Sequence, residues 1–117
     1  MPKLVVRNRT RGTTLATEAA VANTSQTRRT GLLKHQSLPE GEGLWIKPCE
    51  AVHTFFMKFA IDVLYLDREK RVIKIRKEMG PWKMSCCFRA SSVLELPAGM
   101  AEKTATVPGD ILEFEKQ

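Results

Sequence analysis

The run Ile61-Asp62-Val63-Leu64-Tyr65-Leu66-Asp67 constrains this chain more than any other stretch. Its apolar side chains fall on both parities, so as a strand it would be apolar on both faces. A helix at the surface needs a polar stripe that these residues do not provide, whereas a strand covered on both faces uses them all. A central strand over residues 61–67 demands neighbours on each edge and packing layers on each face. The sequence just downstream supplies one neighbour. Asp67-Arg68-Glu69-Lys70-Arg71 reads as a charged hairpin turn into Val72-Ile73-Lys74-Ile75-Arg76-Lys77, with Ile73 and Ile75 expected inward and Lys74 and Arg76 outward.

Period two continues through most of the chain. Residues 3–7 (KLVVR) open as a short strand, Arg9-Thr10-Arg11-Gly12-Thr13 turns, and Leu15 to Val21 returns as a second strand. Thr24 and Ser25 suit the N-cap of a polar helix running to Lys34, anchored by Leu32 and Leu33. Strands are expected at Gly43–Ile46, Ser92–Leu96 and Ile111–Glu115, the last with Leu112 and Phe114 inward. The segment Val52–Phe59 alternates, with His53, Phe55, Met57 and Phe59 on one side. Pro81-Trp82 begins an irregular stretch to Arg89, and a helical turn fits Met100–Lys103. About eight short strands with one or two short helices predict an α+β, mainly β fold: a compact antiparallel, barrel-like sheet. Helices do not alternate regularly with strands, which argues against a parallel α/β fold.

A chain of 117 residues, 43% hydrophobic, fits one domain over 1–117 and can bury a core without metals or disulfides. No apolar run approaches the ~20 residues of a membrane span. The N-terminal residues lack an apolar signal region, and Cys49, Cys86 and Cys87 form no evident disulfide framework, so a reducing cytoplasm is the expected setting. The net charge of +6 raises the question of nucleic acid. It is confined to residues 1–39, where seven cations face the single anion Glu18; the rest of the chain balances. No aromatic residue precedes Trp45, so this basic strip has nothing with which to stack bases. It is read as a solvated face, and no nucleic-acid partner is expected.

Chemistry concentrates between Cys49 and Asp62. His53 is either a core histidine bonded to a backbone carbonyl or a switchable donor and acceptor in a pocket. Lys58 and Asp62 could pair across the intervening turn, or together orient a polar ligand. Cys49 and His53 are spaced C-x3-H, but a structural zinc needs four ligands and a catalytic zinc three, and His35 is the only other histidine. No metal or other cofactor is expected. Neither C-x-x-C, Walker, G-x-S-x-G nor H-E-x-x-H signatures occur.

The block Val52-His53-Thr54-Phe55-Phe56-Met57-Lys58-Phe59-Ala60-Ile61-Asp62-Val63-Leu64-Tyr65-Leu66-Asp67 resembles the domain-of-unknown-function 192 family. So do Arg28-Arg29-Thr30-Gly31-Leu32-Leu33, Ser92-Val93-Leu94-Glu95-Leu96-Pro97-Ala98-Gly99 and Gly109-Asp110, and together these span about residues 15–117. The resemblance implies a small, mainly bacterial and archaeal, barrel-like α+β domain with no established activity. It marks Arg29, His53, Thr54, Lys58, Asp62, Asp67, Glu95 and Asp110 as polar motif positions. Asp67 and Asp110 suit turns, and Glu95 is expected to face solvent or an internal arginine. The candidate ligand-binding residues are therefore Arg29, His53, Thr54, Met57, Lys58 and Asp62. The expected function is a non-enzymatic module for a small polar or anionic, sugar-like ligand. The alternatives are a hydrolase or transferase with His53 as general base near Asp62 or Cys49, and a structural or protein-interaction module. The residues leave the oligomeric state open.

Overall fold

A computed structural model describes residues 3–33 and 35–117. In chain order the elements are β1 (Leu4–Asn8), β2 (Thr13–Ala22), α1 (Ser25–Thr30), β3 (Glu42–Ile46), β4 (Ala51–His53), β5 (Ile61–Leu66), β6 (Val72–Met79), β7 (Met84–Cys86), β8 (Ser92–Pro97), α2 (Met100–Lys103) and β9 (Leu112–Lys116). Seven strands form one sheet in the order β6-β5-β8-β3-β2-β1-β9, and β4 with β7 forms a separate ribbon. The edge strands approach each other at one end. Arg71 bridges Ile111, the Val72 N–H donates to Asp110 at 2.8 Å, and the Leu112 N–H donates to Lys70 at 3.0 Å. The sheet is thus curled into a half-barrel.

The expected mainly β, barrel-like fold is present, and its sheet is mixed rather than purely antiparallel. β2 and β3 pair in parallel, Glu18 opposite Glu42 through Ala22 opposite Ile46. The long connection through α1 lets the chain cross over and re-enter in the same direction, which a tight hairpin cannot do. The helix is also shorter than its polar pattern predicts. A Thr24–Thr27 capping box starts it, and Gly31, at φ 48, terminates it after Thr30. Its expected end at Lys34 lies outside the described residues. No described helix is long and apolar enough to cross a membrane.

β5 justifies its reading as a doubly covered strand: all six of its residues are buried between β6 and β8. Leu64 and Leu66 enter a first core with Val6, Leu15, Leu94, Leu96 and Leu112, closed by Met100 and Ala101 of α2. Ile61, Val63 and Tyr65 enter a second core with Leu32, Leu44, Ile46, Val52, Met57 and Val93. The first draws on all seven strands, as the inside of a curled sheet does. The second fills the opposite face of β3, β5 and β8 against the ribbon and the α1–β3 connection. Each fully buried Leu or Ile contributes roughly 1.5–3 kcal/mol of transfer free energy.

Asp67 builds the expected hairpin, its Oδ1 accepting the N–H groups of Glu69 and Arg71, each at 2.9 Å. Past the turn the register shifts between the pairs Leu66–Val72 and Tyr65–Lys74. This bulge corrects the predicted common face: Ile73 packs on the second core and Ile75 on the first, although both are half-buried. The N-terminal cations are partly neutralised, Arg7 pairing with Glu115 at 2.6 Å, Arg9 with Glu113 at 3.8 Å and Arg11 with Asp110 at 3.0 Å. Asp110 is the best supported of these groups. Burial would raise its carboxyl, but hydrogen bonds from Arg11, Asn8 and the Val107 N–H, with the Arg11 charge, outweigh that and hold it low.

Candidate functional site

The segment Val52–Phe59 is not one strand. β4 ends at His53, and Thr54 turns the chain because its bonding partners lie across the ribbon. The Thr54 hydroxyl donates to the Gly80 carbonyl at 2.6 Å and accepts the Lys83 N–H at 2.9 Å. Its main chain exchanges further bonds: the Thr54 N–H donates to Lys83 at 2.9 Å, and its carbonyl accepts from Trp82 at 3.0 Å and Met57 at 3.1 Å. The predicted alternation is broken in consequence. Val52, Thr54 and Met57 are buried, while His53, Phe56 and Lys58 are exposed.

The turn leaves a cleft of about 820 Å³ beside the second core. One wall is α1 and the turn after it, carrying Arg28, Arg29, Leu32 and Leu33; the other is residues 48–53, with Cys49 and His53. Ile46, Met57 and Glu95 also line it. Arg28 spans from one wall to the other, donating through Nη1 to the Pro48 carbonyl at 3.3 Å and through Nε to Thr24 at 3.4 Å. Arg29 donates to the Ser25 carbonyl at 3.4 Å. Both cations lie in the last turn of α1, where the helix dipole favours positive charge. Neither arginine makes an ion pair among the described residues.

Glu95 is the residue that the sequence reading left out of the site. It occupies β8 between Leu44 of β3 and Val63 of β5, and it is only 4% exposed. Among the described residues its carboxyl has no hydrogen-bond or ion-pair partner, and it meets no internal arginine. Burial alone pushes it from its ordinary 4.5 up to about 7. One signal was available. Val93, Leu94 and Leu96 are apolar at both parities, so β8 is covered on both faces and a glutamate within it cannot reach bulk solvent.

The six candidates divide evenly. Arg29, His53 and Met57 line the cleft. Thr54 is buried and spent on the hydrogen bonds that tie its turn. Lys58 is exposed and donates to Gln36 Oε1 at 3.3 Å, and it makes no ion pair with Asp62. Asp62 faces the first core, accepting the Glu78 N–H on Oδ1 and the Ala101 N–H on Oδ2, each at 2.8 Å. It therefore lies on the side of β5 away from His53.

Among the described residues of the cleft, no nucleophile is paired with a base. His53 Nδ1 accepts the Phe55 N–H at 3.3 Å, and its ring stacks on Phe55 with centroids 5.0 Å apart. Burial, with the Glu95 and Glu50 charges, raises the Cys49 thiol against the lowering effects of its bond to Ala51 and of Arg28, so it stays protonated at neutral pH. Among the described residues no three His, Cys, Asp or Glu side chains are grouped as a metal would require.

Comparison with known proteins places this geometry in a recorded family. The UPF0127 protein PF1050 of Pyrococcus furiosus is 30% identical over 115 residues, covering 93% of this chain and 97% of that protein. The UPF0127 protein PYRAB11210 of Pyrococcus abyssi is 34% identical over 64 residues, 54% of each chain. Two crystal structures share the fold. A protein of unknown function from Novosphingobium aromaticivorans superposes with a TM-score of 0.81 at 20% identity, over 95% of this chain and 83% of that one. A protein of Sinorhizobium meliloti put forward as a transcription regulator superposes with a TM-score of 0.84 at 19% identity, over 97% and 92%. The DUF192 family, described as an uncharacterized ACR, matches residues 6–114, and this chain belongs to it.

Proposed function

We propose that the chain is a binding module whose cleft holds a small polar ligand with two kinds of group. An anionic group, carboxylate or phosphate, meets Arg28 and Arg29 at the rim, and a hydroxyl or ammonium donor reaches Glu95 at the floor. One observation carries this reading: a buried carboxyl with no partner among the described residues lies in the same cleft as two guanidiniums with no counter-ion among them. The buried carboxyl costs stability in an empty site and is repaid by a ligand that donates to it, while the guanidiniums, bonded to main-chain carbonyls at the rim, are free to take an anionic group as well. Leu32, Ile46 and Met57 add an apolar surface against which the face of a sugar-like ring packs. Three free thiols accord with a reducing, cytoplasmic setting. The regulator role put forward for the Sinorhizobium protein is not carried over, because β9 and the turn before it already neutralise three cations of the basic strip.

The test is a thermal-shift panel of uronic acids, sugar phosphates and zwitterionic amino acids. At least one class should stabilise the wild type, and both Glu95→Gln and the double variant Arg28→Ala/Arg29→Ala should lose most of that stabilisation. Absence of stabilisation by every class refutes the reading. A second reading has one observation in its favour: a carboxyl near 7 is suited to general acid–base work at neutral pH. In that case Glu95, not His53, carries the proton, and turnover of a bound ligand would follow the Glu95 titration.

A further inference from the structure

The β4–β7 ribbon shows apolar side chains to solvent where a ribbon covering a core should show polar ones. Met84, Cys86 and Phe88 alternate along β7 and just beyond it, and all three are exposed, while Ser85 and Cys87 between them are half-buried. At one end of the ribbon two loop tips add Phe56 and Trp82, whose ring centroids are 4.7 Å apart. Phe56, Trp82, Met84 and Phe88 are 60–79% exposed, and among the described residues only Val107 of the exposed large hydrophobic residues lies elsewhere.

The exposure is built rather than incidental. Phe56 and Trp82 adopt φ 67 and 65, the left-handed region that bulky side chains rarely occupy. Both conformations are held by Thr54, whose carbonyl accepts the Trp82 and Met57 N–H groups while its hydroxyl binds the loop on either side of Trp82. Strain of this kind persists where the surrounding structure imposes it and where the presented side chain is used.

The charges around the patch say what it meets. Residues 50–60 and 72–90 carry Lys58, Lys74, Arg76, Lys77, Lys83 and Arg89 against Glu50 and Glu78. None of these eight forms an ion pair among the described residues. A second copy of the chain would bring the same cations against themselves. A sugar would need a flat platform, yet the Trp82 ring is tilted 31° to Phe55 and 59° to Phe56. Protruding tryptophan and phenylalanine flanked by lysine and arginine match the two layers of an anionic bilayer surface, an apolar boundary beneath negative headgroups.

We infer that the β4–β7 ribbon docks peripherally on anionic membrane surfaces, with Phe56 and Trp82 inserting and the flanking cations meeting the headgroups. Phe56, Trp82, Met84 and Phe88 do not line the cleft, although β4 forms part of its wall, and the docking does not require the cleft's ligand. The experiment uses the full chain and vesicles of phosphatidylcholine with 25% phosphatidylglycerol, against pure phosphatidylcholine. Partitioning in co-sedimentation should be at least tenfold greater on the anionic vesicles and fall steeply with salt. Trp45 is buried and Trp82 exposed, so a blue shift and quenching by brominated lipid report on Trp82. Phe56→Ser/Trp82→Ser should lose tenfold or more of the partitioning with an unchanged circular dichroism spectrum. Should that variant not fold, Met84→Ser and brominated-lipid quenching of the wild type decide. Equal partitioning on both vesicles, or a Trp82 emission that vesicles leave unchanged, overturns the inference. So does a dimer that Phe56→Ser/Trp82→Ser dissociates, or a Trp82 shift produced by polyglutamate and not by vesicles.

Discussion

Replacing Glu95 by Gln tests the electrostatics of the cleft floor without any knowledge of the ligand. The folded carboxyl titrates near 7 and the unfolded one near 4.5. Folding therefore favours the protonated form, and the sign follows. The Glu95 contribution to stability is most favourable below about pH 4.5, falls as pH rises towards 7 and is flat above it. A displacement of this size at about 1.36 kcal/mol per pH unit gives a total loss of about 3 kcal/mol. Glutamine has the shape of the protonated acid and does not ionise. Glu95→Gln should match the wild type near pH 4.5 and exceed it by up to about 3 kcal/mol at pH 8.5, on the order of 10 °C in Tm. Urea unfolding of both proteins at half-unit steps from pH 4.5 to 8.5 measures the difference, in which the other titrating groups cancel. Parallel stability curves for the two proteins would refute the reasoning, since they would mean that Glu95 is hydrated or paired when ionised.

Two further outcomes rest on particular hydrogen bonds. Thr54→Val removes the hydroxyl that serves Gly80 and Lys83, leaving a carbonyl and an N–H short of partners; urea unfolding should show a loss of about 2 kcal/mol, and limited proteolysis should cut the Trp82 loop faster. Asp110→Asn weakens the interactions of a carboxylate that accepts from Asn8, Arg11 and Val107 through a single oxygen. Its folded form is held below the ordinary 3.8, so its contribution is present above that value and lost as pH falls through the depressed one. The variant should be about 1–3 kcal/mol less stable at pH 7, and unfolding at pH 2.5 should find the difference much reduced.

The Asp67 hairpin, the doubly buried β5 and the turn at Gly109-Asp110 were legible because local chemistry decides each of them. Asp67 caps its own turn, and β5 has no polar face to show. The alternation of Val52–Phe59 was equally visible and misled, since hydrogen bonds from Thr54 to residues 80–83 outweigh a strand whose partner β7 pairs with only three of its residues. In the same way Asp62 resembles a ligand residue beside His53 until β5 turns it to the opposite core.

What the sequence determines by itself is most of the elements and, wherever no bulge or turn intervenes, which side chains share a face, because strand geometry fixes alternation locally. It places Glu95 on the same face of β8 as Val93, whereas the stretch from Pro81 to Arg89 reads as irregular and becomes β7 at Met84–Cys86 only through its pairing with β4. Which face is covered is decided only by tertiary packing. The second core closes over Val93, leaves a cleft at Glu95, and draws Ser85 and Cys87 inward, so the apolar side of the ribbon is turned out to solvent. Parity is a property of one strand, whereas coverage is a property of the neighbours that folding brings to it.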